Sequence, residues 1–147
     1  MINGINDELI LAARLLLATL FLIFGWRKLR DYSGTVSQMV QLGAPAVGFN
    51  QWWVPLVEFT AGGGVLIGFL APLAALGLLV IILVSIATSG RKRIKLYKLI
   101  DTADRIDDWL YLPETLYAFM LIVVVSAGAG PYSLDALILG LMNKHVA

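Results

Sequence analysis

Five ionisable side chains stand where an apolar sequence leaves little water for them: Arg14, Lys28, Glu58, Glu114 and Asp135. Arg14 is the clearest case. It lies inside LILAARLLLATLFLIFGWRKL, residues 9–29, whose other polar groups are Thr19 and the terminal Arg27-Lys28 pair. A charge at such a depth costs on the order of 3 kcal/mol unless it is paired or reaches water. Guanidinium and ammonium groups held there can bind carbonyl or anionic oxygens, and a sheltered carboxylate can relay protons. Other chemistries are closed to the chain by composition. It has no cysteine, so disulfides, thiol redox chemistry, iron–sulfur ligation and thiolate metal sites are excluded. With His145 as its one histidine, it cannot supply both axial ligands of a bis-histidine haem. No catalytic residue and no metal ligand set is assigned.

The elements that carry these charges read as membrane helices. The chain has 147 residues, 59% of them hydrophobic, and a mean hydropathy of +0.84, too apolar for a soluble domain. The pattern predicts an all-α, polytopic membrane protein: a four-transmembrane-helix bundle with short interfacial helices, in one domain over residues 1–147. The spans fall at about 9–29, 52–70, 73–89 and 113–127. Asp7-Glu8 precede the first run without a basic region or small-residue cleavage site, so that run is expected to be a retained span rather than a signal peptide. Between spans one and two, Val36, Met39, Val40 and Leu42 give a short helix one apolar face, stopped by Gly43-Ala44-Pro45. Span two opens on Trp52-Trp53, with Pro55 expected in its first turn. Ala71-Pro72 makes a tight turn that sets spans two and three antiparallel.

The connection 90–112 is charged. Basic residues Arg91, Lys92, Arg93, Lys95 and Lys98 come first, then Asp101, Asp104, Asp107 and Asp108. The macrodipole suits a third helix that ends near Lys98 and a new one that starts near Asp101. Leu96, Leu99, Ile100, Ala103, Ile106 and Leu110 recur at helical spacing and predict a segment lying on the membrane surface. Gly128-Ala129-Gly130-Pro131 ends span four. Ser133 is expected to cap a last interfacial helix over 134–142. Arg27, Lys28 and Arg30 flank the first connection, and Arg105 joins the five basic residues of the third. The N-terminal tail and the second turn carry none. The positive-inside rule therefore places both basic connections in the cytoplasm and both termini outside it, in a cell (inner) membrane.

Depth along the helices suggests how the charges pair. Arg14 lies about 9 Å below the outer end of span one if that helix starts near Glu8. The economical arrangement is Arg14 with Asp135 outside, and Glu58 with Lys28 or Arg27 inside, close to Glu114. These pairs admit two readings, as struts of the bundle or as an intramembrane polar site. Gly62, Gly64 and Gly68 form a small-residue face, Gly64 and Gly68 in GxxxG spacing, for close helix packing or for a flat ligand such as a quinone ring. The four tryptophans read as an interfacial belt, the basic run as an orientation signal, and the aspartates as solvated charge rather than a metal site.

The ordered set of motifs resembles the DoxX family of small four-span membrane proteins. The resemblance rests on Arg14 followed by Phe24-Gly25-Trp26-Arg27-Lys28-Leu29, on Gly43 and Pro45, on Glu58 with glycines after it, and on Gly128-Ala129-Gly130-Pro131-Tyr132-Ser133-Leu134-Asp135. The long connection departs from the usual pattern. The family likeness implies an accessory, non-catalytic subunit of a membrane oxidoreductase system, without a covalent or metal-bound cofactor of its own but in contact with a quinone. Its implied partners are the lipid bilayer and other subunits or further copies of the chain, not nucleic acid. Two alternatives stay open: an assembly or scaffold protein docking through its amphipathic segments, and a small-solute or ion pathway, which four short spans can form only by oligomerising.

Overall fold

A computed structural model describes residues 2–98, 109–110 and 112–146. Its described residues are all helix and turn: α1 (Ile2–Arg30), α2 (Tyr32–Leu42), α3 (Val47–Ile67), α4 (Ala71–Lys98), α5 (Pro113–Ala127) and α6 (Leu134–Val146). The helices α1, α3, α4 and α5 alternate in direction and close a ring, α1 against α3, α3 against α4, α4 against α5 and α5 against α1. Leu17, Phe21, Val65, Leu78, Ile82, Leu121 and Val124 fill the middle of that ring. Among the described residues two stretches are long and apolar enough to cross a membrane, Asn6–Arg30 and Ala71–Leu96, while Pro113–Ala127 is a shorter apolar helix. At 15 residues, α5 extends about 22 Å. In α3 the apolar character is interrupted by Asn50, Gln51 and Glu58.

Local chemistry explains where the helices break. Asp31 caps α2, its carboxylate accepting from Gly34 N at 3.1 Å. Gly43 ends α2 at φ +71°, with Ala44 N donating to Met39 O at 2.9 Å, a Schellman closure that glycine adopts without strain. The turn between α3 and α4 falls earlier than Ala71-Pro72. Gly68 takes the left-handed conformation and Leu70 follows at φ +46°, so Ala71 and Pro72 already belong to the first turn of α4. Pro55 also differs from expectation: α3 starts at Val47, which puts the proline inside the helix and leaves the Gln51 carbonyl without its usual donor. At its other end α4 continues through Gly90 and the basic run to Lys98, since Lys and Arg are good helix formers.

The closest helix approach is between α1 and α3. A Cβ on Gly25 would lie 2.7 Å from Phe59 N, and one on Gly62 would lie 3.2 Å from Leu22 N. Backbone therefore packs almost on backbone, as small residues allow in membrane helices. Gly64 and Gly68 do not share that face: Gly64 turns toward Phe69 and Ala74, and Gly68 is the cap of α3. The two glycines of the GxxxG spacing thus meet different neighbours, with Gly64 set close against Ala74 of α4. Asp101, Asp104, Asp107 and Asp108, with the surface segment expected around them, lie outside the described residues.

Candidate functional site

The charged residues sort to the two ends of the ring. At one end Arg14, 1% exposed, is surrounded by carbonyls. Its Nε donates to Val65 O at 3.2 Å, Nη2 to Leu66 O at 3.2 Å, and Nη1 to Tyr132 O at 2.9 Å and to Ala129 O. Val65 and Leu66 are in the last turn of α3, where carbonyls have no intrahelical partner, and Ala129 and Tyr132 belong to the turn before α6. Asp135 does not form the direct ion pair expected with Arg14. Its carboxylate instead accepts from Leu70 N at 2.9 Å and Ala71 N at 3.3 Å, covering the start of α4, while its own N–H donates to Gly68 O at 3.0 Å. Asp135 still attracts Arg14 through space. Ser133 Oγ accepts from Ala136 N at 3.1 Å and caps α6. This guanidinium, bonded to four main-chain carbonyls, ties α1 to the end of α3 and to the turn before α6.

The other end is open. A cavity of about 580 Å³ lies among α1, α2, α3, α4 and α5, within the range of small-molecule sites. Lys28 and Glu58 meet on one side, Nζ lying 2.6 Å from Oε1 and 2.8 Å from Oε2. Glu58 is 4% exposed, whereas the Lys28 side chain keeps 31% of its surface, so the pair has one buried and one accessible member. On the facing side Arg93 Nη2 pairs with Glu114 Oε1. The second oxygen, Oε2 of Glu114, is buried without a hydrogen-bond partner. Phe21, Phe24 and Tyr117 form an edge-on aromatic cluster, each ring centre 6.4 Å from the next, along the apolar part of the wall. Thr88 and Ser89 donate their hydroxyls back to Val84 O and Ser85 O, which leaves their oxygen lone pairs for the cavity.

One wall is α2, the short amphipathic helix. Thr35, buried, anchors it: Oγ1 lies 2.8 Å from Asp31 O and 3.2 Å from Lys28 O. Lys92 places its ammonium beside Gly43, at the negative end of the α2 dipole. Exposed aromatics gather at this end too, Tyr32 on Trp52 with centres 4.6 Å apart and Phe49 on Trp53 at 5.8 Å.

Of the residues singled out from the sequence, Lys28, Glu58 and Glu114 line this cavity, and Arg14 and Asp135 lie at the opposite end. Arg93 and Thr35 were missed. As part of the basic run Arg93 reads as orientation charge, although it continues the inward face of α4 through Leu78, Ile82, Ile86, Ser89 and Arg93 at intervals of three or four. That periodicity was the available signal.

The DoxX family model matches residues 9–91. The chain belongs to the DoxX family. The matched stretch contains Arg14 and both members of the Lys28–Glu58 pair, and stops before Arg93 and Glu114. Inner membrane protein YqjF of Escherichia coli (strain K12) is 28% identical over 135 residues, which cover 91% of this chain and 95% of that protein. No solved structure matches the chain. With its long apolar helices, this DoxX protein is a membrane protein in contact with the lipid bilayer.

Proposed function

We propose that this DoxX protein is an accessory subunit of an oxidoreductase system in the inner membrane, and that its open cavity receives the ring of a quinone. In this reading α1, α3, α4 and α5 all cross the bilayer, both termini lie outside the cytoplasm, and the cavity faces the cytoplasmic interface among the aromatic residues. The observation that carries the proposal is the Lys28–Glu58 pair in the wall of a partly apolar cavity. Lys28 supplies a hydrogen bond to a ring oxygen, Glu58 takes or returns the proton that accompanies reduction, and Phe21, Phe24 and Tyr117 give the ring an apolar wall. Electrons come from a partner enzyme. Supporting this reading over a solute pathway, the core between the two ends is packed with Leu17, Phe21, Leu78 and Leu121, so among the described residues no polar path runs through one chain.

The test is titration of the detergent-purified protein with a short-chain benzoquinone, followed by tryptophan quenching. Saturable quenching that is lost in Glu58→Gln and Lys28→Met, with helicity unchanged, supports the site. Linear, unsaturable quenching in the wild-type protein removes it. An assembly role draws support from α6, whose Leu137, Leu139, Leu141 and Met142 are exposed. Transient rather than stoichiometric co-purification with an enzyme would favour that role.

A further inference from the structure

The cavity wall changes character from one side to the other. The stretch of chain along its floor runs from Asp31, Thr35 and Gln38 to Met39 and Leu42, polar first and apolar last. Thr35 holds the polar end to α1 through the Lys28 carbonyl, and the Lys92 ammonium beside Gly43 sets the apolar end against α4. The floor therefore grades from charge beside Lys28 to hydrocarbon beside α4. The seams between helices differ in the same sense. Gly25 brings α1 onto α3, Phe21 and Phe24 meet Tyr117 between α1 and α5, and Ile94 with Leu112 and the Arg93–Glu114 pair join α4 to α5. Helices α3 and α4 approach closely near their shared turn, where a Cβ on Gly64 would lie 3.3 Å from Ala74 Cβ and one on Gly77 would lie 4.0 Å from Val57 Cγ1. Farther from that turn, Val54 of α3 and Ile81, Val84 and Thr88 of α4 line the cavity. Val84 is also 44% exposed, so wall and outer surface meet there.

We infer that the ring ligand carries a long alkyl or isoprenoid tail, which leaves the cavity between α3 and α4 across Val84, so that the ligand loads sideways from the bilayer. This rests on the proposed quinone reading and narrows it to lipid-tailed quinones. The opening runs from Ile81 to Thr88, about 10 Å along α4. It is apolar: Val54, Ile81 and Val84 carry no polar side-chain group, and Thr88 donates its hydroxyl proton to Val84 O. Helix α4 belongs to the stretches long and apolar enough to cross a membrane, and Val80 and Leu83 beside the opening are exposed. In a bilayer the opening therefore faces acyl chains. Arg27, Asp31 and Gln38, exposed on the other side of the cavity, keep the ring end within reach of water for proton exchange. One cavity thus offers a polar seat beside Lys28 and an apolar exit beside Val84, the division of an amphiphile into head and tail.

The chain has no native cysteine, so a single thiol can be placed at the opening. Val84→Cys, labelled with a bulky aromatic maleimide, obstructs the exit. Leu83→Cys, the next residue round the helix, exposed and outside the cavity wall, carries the same label as a control. The probes are tritiated tetramethyl-benzoquinone and its analogue with a decyl chain in place of one methyl, both fully substituted so that thiols do not add to the ring. Binding is read by scintillation proximity on captured protein in detergent. Each ligand is compared with itself on the same variant before and after labelling, which cancels its partition into micelles and any effect of the substitution on folding. The label at Val84 is expected to weaken the decyl quinone roughly tenfold or more, the worth of about two methylenes withdrawn from an apolar seat. It should leave the tetramethyl probe unchanged, and the label at Leu83 should change neither. Equal loss of both probes at Val84, equal loss of the decyl quinone at both positions, or no loss at Val84 would overturn the side exit while leaving a ring site intact. Saturable binding of neither probe to the unlabelled protein would bring down the quinone reading and the exit with it.

Discussion

At one end of the bundle Arg14 donates four hydrogen bonds to main-chain carbonyls, whereas at the other Lys28 and Arg93 each face a carboxylate beside a cavity. Both arrangements keep positive charge in an apolar protein, but they differ in what can replace the partner. Carbonyls at the end of α3 and in the turn before α6 are neutral and fixed by backbone conformation. They neutralise no charge formally, yet they surround it. Carboxylates on side chains can rotate, take a proton or yield to a ligand. A buried cation held by carbonyls is therefore suited to holding shape, and one held by a carboxylate at a cavity wall is suited to exchange.

Removing the cation separates these roles most sharply at Arg14. Arg14→Met strands four carbonyls, at about 1 kcal/mol or more for each buried acceptor, so a loss on the order of 4 kcal/mol is expected. Denaturant unfolding in mixed micelles measures it, and Arg14→Lys should recover about half, because a single ammonium cannot reach both α3 and the α6 turn. A loss below about 1 kcal/mol would erase the distinction between the ends. Lys28→Met should cost less, about 2 kcal/mol, because Lys28 is partly solvated, although Glu58 is left buried and unpaired. Lys28→Met combined with Glu58→Leu should return to within about 1 kcal/mol of the wild type, as paired replacement of a buried ion pair by apolar groups often does. Should the double variant be weaker than either single one, the Lys28 end is a strut as well. The smallest effects concern glycines. Gly68→Ala forces a side chain into the left-handed region at φ +71° and against Ser133 and Arg14, with an expected loss of about 1–2 kcal/mol. Gly63→Ala, with nothing within 4 Å of its Cβ, should gain about 0.5 kcal/mol from helix propensity. Thermal unfolding of the two variants side by side checks that contrast.

Much of this architecture is written locally. Runs of apolar residues, Asp31 before α2, Gly43 after it, and the Pro113 and Gly128 that bound α5 are visible to anyone reading along the chain. Lys28 and Glu58 are also within reach, because Lys28 closes the first apolar run and Glu58 interrupts the second on the side where the basic residues gather. Depth along the helix points Arg14 toward Asp135, but depth says nothing of the carbonyls that a turn presents, and it is carbonyls that hold the guanidinium. The GxxxG spacing is silent for the same reason on which helix each glycine meets: Gly25 and Gly62 set the α1–α3 approach, and Gly64 lies against Ala74 of α4.

The sequence by itself determined that the chain is helical and apolar, where its helices stop, and which charges must be sheltered. These follow from propensities and transfer free energies that depend on a residue and its near neighbours. Only the tertiary structure decided which groups shelter them, that Arg93 turns inward, and that a cavity opens beside two ion pairs. Those outcomes depend on how each helix is rotated about its axis, and that rotation is set by contacts between residues far apart in the chain, Gly25 against Phe59 and Gly62 against Leu22 among them.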